Sequence, residues 1–132
     1  MEFQEAITAC FKKYATFTGR ATRAEYWWFQ LFMSAVQAVS IALVISAYTI
    51  SGTLGTLAVL FWLLFSLAAI IPCLSVTVRR LHDRGFSGWW LLPATIIITL
   101  LPISAIAWLI IMSLPSGPSN KYGDVPCMAD SF

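Results

Sequence analysis

Arg79-Arg80-Leu81-His82-Asp83-Arg84-Gly85-Phe86-Ser87-Gly88-Trp89-Trp90 separates two long apolar runs and decides how the rest of the chain folds. It gathers three arginines, an aspartate and the only histidine of the sequence. Before it, Leu54–Val78 carries no charged residue; after it, Trp89–Leu114 carries none, and a further uncharged run covers Tyr26–Tyr48. Each run exceeds the ~20 residues a helix needs to cross a ~30 Å hydrocarbon core. Of the 132 residues, 59% are hydrophobic and 11% charged, whereas soluble domains average about 45–50% and 25%. A soluble domain this small cannot hide so much apolar surface. Lipid is the expected solvent.

These runs predict an all-α polytopic membrane protein, one domain over 1–132, with transmembrane helices at 26–48, 54–78 and 89–113. Residues 1–18 are no span. Phe3, Ile7, Cys10, Phe11, Tyr14 and Phe17 recur at helical steps of three and four, with Lys12 and Lys13 off that face. Such an amphipathic helix suits the membrane interface or the ends of the other helices. The acidic start predicts no cleaved signal peptide. Gly19 reads as a helix stop, and Thr22 followed by Glu25 has the spacing of a capping box opening the first span. Tyr26, Trp27, Trp28, Trp89 and Trp90 are boundary aromatics.

Thr49–Thr53 is a short connection, so the first two spans form an antiparallel hairpin. Pro72 removes a backbone donor from the second span, and Ser66, Ser75 and Thr77 read as helix-packing hydroxyls. The third run contains Pro93 and Pro102. It reads either as one kinked crossing, with Trp108 at the far boundary, or as a re-entrant hairpin broken near Pro102; the single crossing is preferred. The 115–132 tail is rich in turn formers and predicted irregular.

With three crossings, Lys12, Lys13, Arg20, Arg23, Arg79, Arg80 and Arg84 share one side, and the positive-inside rule makes that side cytoplasmic. The N-terminus and the Arg79–Gly88 loop are therefore expected in the cytoplasm. Lys121 would lie outside with the tail. Cys10, Cys73 and Cys127 are too few and too scattered for a disulfide framework or a zinc site and are read as free thiols.

Three blocks recur as a recognisable set. They are Gly19-Arg20-Ala21-x-Arg23-x-Glu25-Tyr26-Trp27, Arg79-Arg80-Leu81-His82-Asp83-x-Gly85-x-Ser87-Gly88-Trp89-Trp90, and Gly117-x-x-Asn120-Lys121-Tyr122-Gly123-Asp124-x-Pro126. In this the chain resembles the DUF805 family of small, YhaH-like bacterial inner-membrane proteins. The resemblance implies a bacterial inner membrane and a multi-span helical fold, and no reaction. It also implies that the tail motif, Gly117, Asn120, Tyr122 and Gly123, joins the other two blocks if the three act together. That outcome favours the re-entrant third run.

The candidate site is a polar cluster of Arg20, Arg23, Glu25, Arg79, Arg80, His82 and Asp83, with turn glycines Gly19, Gly85 and Gly88. Arg79 and Asp83, four apart, share a helical face if the second span continues past Val78. One reading makes the cluster a clamp of helix ends. Another makes its surplus arginines a site for an anionic lipid headgroup or a partner protein. Catalysis is disfavoured: there is one histidine, no phosphate loop and no carboxylate pair, and Cys73 and His82 stand on opposite helical faces. No metal or cofactor is expected, and no nucleic acid, since the cations lie against the membrane. The preferred function is a non-enzymatic membrane accessory or scaffold. The alternative is a subunit of an oligomeric transporter or channel, although the spans hold no ionisable group.

Overall fold

The computed structural model describes residues 2–124. Among them there are five α-helices and no strand: α1 (Phe3–Lys12), α2 (Arg23–Ile50), α3 (Gly52–Asp83), α4 (Leu91–Leu100) and α5 (Ser104–Ser113), with a 3-10 turn at Gly88–Trp90 before α4. Pro126 and Cys127 lie outside the described residues.

Helices α2 and α3 form the hairpin expected from the first two runs, and both are longer than those runs. At 1.5 Å per residue, their 28 and 32 residues give lengths of about 42 and 48 Å. Thr22 caps α2 by accepting the Glu25 amide at 3.0 Å. Ser51 alone joins the two helices; its hydroxyl caps α3 by accepting from the Leu54 amide at 3.1 Å. The apolar side chains of the pair point outward: in the most apolar stretch of each helix only 6% and 11% of residues are buried. Leu43, Ile45, Phe61 and Leu64 are each more than 60% exposed. A soluble protein turns such faces inward, and patches of this extent mark contact with lipid or protein.

Helix α1 is shorter than the 1–18 segment, because the chain leaves helical geometry at Lys13. It lies across α2 through Phe3 on Trp28 and Phe11 on Phe29, both edge-to-face. Residues 13–22 then pass over α3. Ser75 donates its one hydroxyl proton toward the carbonyls of Lys13 and Thr16, at 2.9 and 2.5 Å. Gly19 is therefore not the residue that ends the helix. It lies in the following loop with φ +87°.

The single kinked helix preferred for the third run does not form. Pro102 lacks the amide that would continue α4, and the chain reverses at Leu101–Ile103 into α5. Ten residues span about 15 Å, half a hydrocarbon core. Both ends of the run return to the C-terminal end of α3. Gly88 leaves so little room beside Val78 that an added Cβ would lie 2.8 Å from its Cγ1. At the other end, Met112 is fully buried and its carbonyl meets Arg80. Trp108, expected at the far boundary, packs against the core formed by Tyr26, Phe29 and Leu81. Lys121 and the described tail lie with the other cations rather than opposite them.

Candidate functional site

The last turn of α3 carries the cluster, and a glycine-dependent cap fixes where that turn stops. Gly85, at φ +82°, donates to the His82 carbonyl at 2.9 Å, and the Phe86 amide reaches back to Leu81 at 2.9 Å. This is a Schellman cap, and its positive φ excludes β-branched residues at small cost only to glycine. It aims Arg79, Arg80 and Asp83 into the protein, each at most 1% exposed.

Two guanidiniums are satisfied on every side. A guanidinium has five N–H donors. Arg80 directs Nε and Nη2 to the Met112 carbonyl at 3.1 and 3.0 Å, Nη2 also to Leu114, and Nη1 to the Asp83 carboxylate and the Ala21 carbonyl. Arg20 directs Nε to Asp83 Oδ1 at 3.0 Å. Its Nη1 reaches the carbonyls of Pro118 and Gly123, both at 3.1 Å, and its Nη2 those of Asp83 and Gly117, at 3.1 and 2.7 Å. Taking ions out of water costs several kcal/mol each unless such bonds replace the hydration. Here the replacements come from four separate segments, so every bond except the Arg80–Asp83 pair, which lies within α3, is also a tertiary tie.

The pairing differs from the sequence expectation. Asp83 pairs with Arg80, three residues before it, and with Arg20. Arg79 pairs instead with Glu25 at the start of α2. Arg79 Nε and Nη2 are buried and meet no hydrogen-bond partner among the described residues. Cys10 of α1 stands beside this pair, its thiol 3.7 Å from Glu25 Oε1. Burial, and then the Glu25 charge, push that thiol up to about 12. It stays protonated at neutral pH.

The tail completes the site. Gly117 donates its amide to the Asp83 carbonyl at 3.1 Å, and a Cβ there would lie 3.0 Å from that oxygen. Asn120 Nδ2 donates to the His82 carbonyl at 3.0 Å. The Tyr122 ring stacks on His82 with centroids 4.0 Å apart and planes 3° from parallel. Because Gly19 offers only its carbonyl, His82 donates to it from Nδ1, at 3.1 Å. Gly123 supplies an acceptor to Arg20 and pairs with Asn120 in an isolated bridge.

Of the predicted residues, Arg20, Glu25, Arg79, Arg80, His82 and Asp83 converge, with Gly19, Gly117, Asn120, Tyr122 and Gly123 around them. Arg23 is only half-buried at the edge. Tyr26 is buried beneath the cluster. Trp27 and Trp28 are half-buried, while Trp89 and Trp90 are exposed outside it. Sequence reasoning missed the carbonyls of Met112, Leu114 and Pro115, which accept from Arg80 and Arg84. Backbone acceptors carry no residue-type signal. Cys10 reads in the sequence as a free thiol on the apolar face of the N-terminal helix, not as a neighbour of the cluster.

An outward-facing apolar hairpin closed at one end by a buried Arg–carboxylate cluster defines a multi-span helical membrane protein. Residues 14–124 match the family described as "Protein of unknown function (DUF805)", and the chain belongs to that family. It is similar to the inner membrane protein YhaI of Escherichia coli strain K12. The two are 34% identical over 119 residues, covering 87% of this chain and 89% of the relative. The inner membrane protein YhaH of the same strain is 33% identical over 121 residues, covering 87% and 90%. No solved structure matches.

Proposed function

We propose that the protein is a non-enzymatic accessory or scaffold of the bacterial inner membrane, and that its polar cluster is a clamp on the cytoplasmic side. In this topology α2 and α3 cross the bilayer, α4 and α5 form a half-depth re-entrant hairpin, and α1 lies in the interface. N-terminus and tail are both cytoplasmic. Every Lys and Arg, Lys121 included, then falls on one side, while Ser51 and its neighbours opposite carry none. That distribution supports the orientation more strongly than a three-crossing chain would.

The observation that carries the clamp reading is the complete internal satisfaction of Arg20 and Arg80. A guanidinium whose donors are all held by carboxylates and carbonyls has none left for an incoming phosphate. Anionic lipid is met instead by the exposed lysines at the rim, Lys12, Lys13 and Lys121. Each such juxtamembrane cation contributes on the order of 1 kcal/mol of attraction to an anionic leaflet. The non-enzymatic reading is supported by His82, stacked under Tyr122 and held by Gly19. The protonated thiol of Cys10 supports it too.

The test compares Arg80→Ala with the triple variant Lys12→Ala, Lys13→Ala and Lys121→Ala, measuring abundance in membranes and the lipids retained after mild extraction. Loss of abundance in the first, and of anionic lipid at normal abundance in the second, is the expected pattern. An abundant Arg80→Ala protein stripped of anionic lipid would replace the clamp with a headgroup site.

A further inference from the structure

The membrane-level half of the hairpin holds a second polar feature. Gln37, at the middle of α2, accepts from Trp62 Nε1 at 2.8 Å and donates from Nε2 to Ser66 Oγ at 3.3 Å. Beside this network a groove of about 520 Å³ opens between α2 and α3, lined among others by Gln30, Ser34, Gln37, Ala38 and Ser66. Helix α1 borders a different groove, which is almost wholly apolar.

Among the Ser and Thr hydroxyls of these two helices, Ser40, Ser46, Thr49, Thr56, Ser75 and Thr77 each donate to a backbone carbonyl. Ser34, Ser66 and Thr53 donate to none among the described residues, although Ser66 accepts from Gln37. Thr53 stands in the first turn of α3, away from the groove; Ser34 and Ser66 both line it. Gln37 keeps one amide proton and one lone pair beyond its two bonds. Unmade hydrogen bonds in hydrocarbon are costly, and acyl chains offer no partner at that depth. The occupant must bring hydrogen-bonding groups of its own.

We propose that this groove is the interface through which two copies of the chain pair in the bilayer, with Ser34, Gln37 and Ser66 bonding across a two-fold axis along the membrane normal. The inference rests on the topology proposed above. Charge holds every copy in one orientation, so each residue of one copy meets the other at its own depth. A carboxamide is donor and acceptor at once, and hydroxyls are too, so like groups at equal depth are complementary. Small residues at the seam, Ala38 and Ser34, allow the close approach that helix pairs in membranes use.

The test is the dimer fraction of labelled full-length protein in proteoliposomes, read by single-molecule photobleaching over a range of protein-to-lipid ratios. Insertion is first established by resistance to alkaline extraction, so that an inserted monomer counts against pairing and not against the topology. The parent is expected to dimerise. Ala38→Trp, which fills the groove from an exposed position, is expected to weaken pairing at least tenfold. Val39→Trp, one position round the helix and 60% exposed in the parent, is expected to leave it unchanged. Ser34→Leu, which removes only an exposed hydroxyl, is expected to weaken pairing severalfold and serves where Ala38→Trp fails to insert. An inserted parent that stays monomeric at all ratios, equal effects of the two tryptophans, or a different protein seated in the groove would each overturn the proposal.

Discussion

The Tyr14 hydroxyl donates to the carbonyl of Ala68, the acceptor that Pro72, four residues on, leaves without its helical donor. The proline's cost inside α3 is thereby offset from outside the helix, and the same bond pins the segment after α1 to the hairpin. Tyr14→Phe is expected to destabilise the protein by about 1 kcal/mol, the net value of such a hydrogen bond. Pro72→Ala restores an amide four residues from Ala68, so in that background Tyr14→Phe should have a smaller effect. Unfolding in mixed micelles of the four proteins of this cycle measures the coupling; strict additivity would disprove it.

Asp83 serves two buried arginines and Glu25 serves one. Removing one partner of a buried pair costs roughly 3–5 kcal/mol, because the other charge is left behind. Asp83→Asn should therefore lower membrane abundance and unfolding stability more than Glu25→Gln. Equal stability of the two variants would show that the shared carboxylate is not the centre of the cluster.

Gly85→Ala forces a residue with a Cβ into φ +82°, at about 1–2 kcal/mol. Gly85→Asn should be milder, since Asn tolerates that region better. Gly117→Ala acts differently, by pushing the tail off the Asp83 carbonyl. It should raise protease cleavage within the tail while leaving the α2–α3 hairpin folded. Limited proteolysis with mass detection separates the two effects.

Cys10 is held protonated, its thiol pushed up to about 12 from an ordinary value of 9.0. Above pH 9 the unfolded chain loses this proton while the folded chain keeps it, so the site's contribution to stability falls as pH rises toward 12. In the folded protein, maleimide labelling of a variant whose only cysteine is Cys10 should be slow at pH 7.5. It should become fast after denaturation. Rapid labelling of the folded form would show that the thiol beside Glu25 is open to water.

Much of this fold was legible in the sequence. The uncharged runs at 26–48 and 54–78, the cap at Thr22 and the turn around Ser51 all follow from local chemistry, and α2 and α3 formed where they predict. Charge placement likewise put seven of the eight Lys and Arg residues at one end, with Lys121 expected at the other. The third run was not legible to the same degree, because ten-residue and twenty-residue apolar helices have the same composition. Pro102 marks a break, but only the carbonyls of Met112 and Leu114 on Arg80 decide that the chain turns back. The members of the cluster were identified by type. Their pairing was not, since the direction of Arg79 depends on Glu25 arriving from α2. Gln37 passed unnoticed inside an apolar run, and Ser66 stood out only as a helix-packing residue.

The return of the tail to the arginine cluster is the claim on which the topology and the clamp both depend. Paired reporters fused after residue 132, one fluorescent only in the cytoplasm and one an alkaline phosphatase active only in the periplasm, test it most directly. Fluorescence without phosphatase activity is expected, which puts the tail on the same side as an N-terminal fusion. Phosphatase activity without fluorescence would mean that the third run crosses the membrane and that the tail never reaches Arg20 and Asp83.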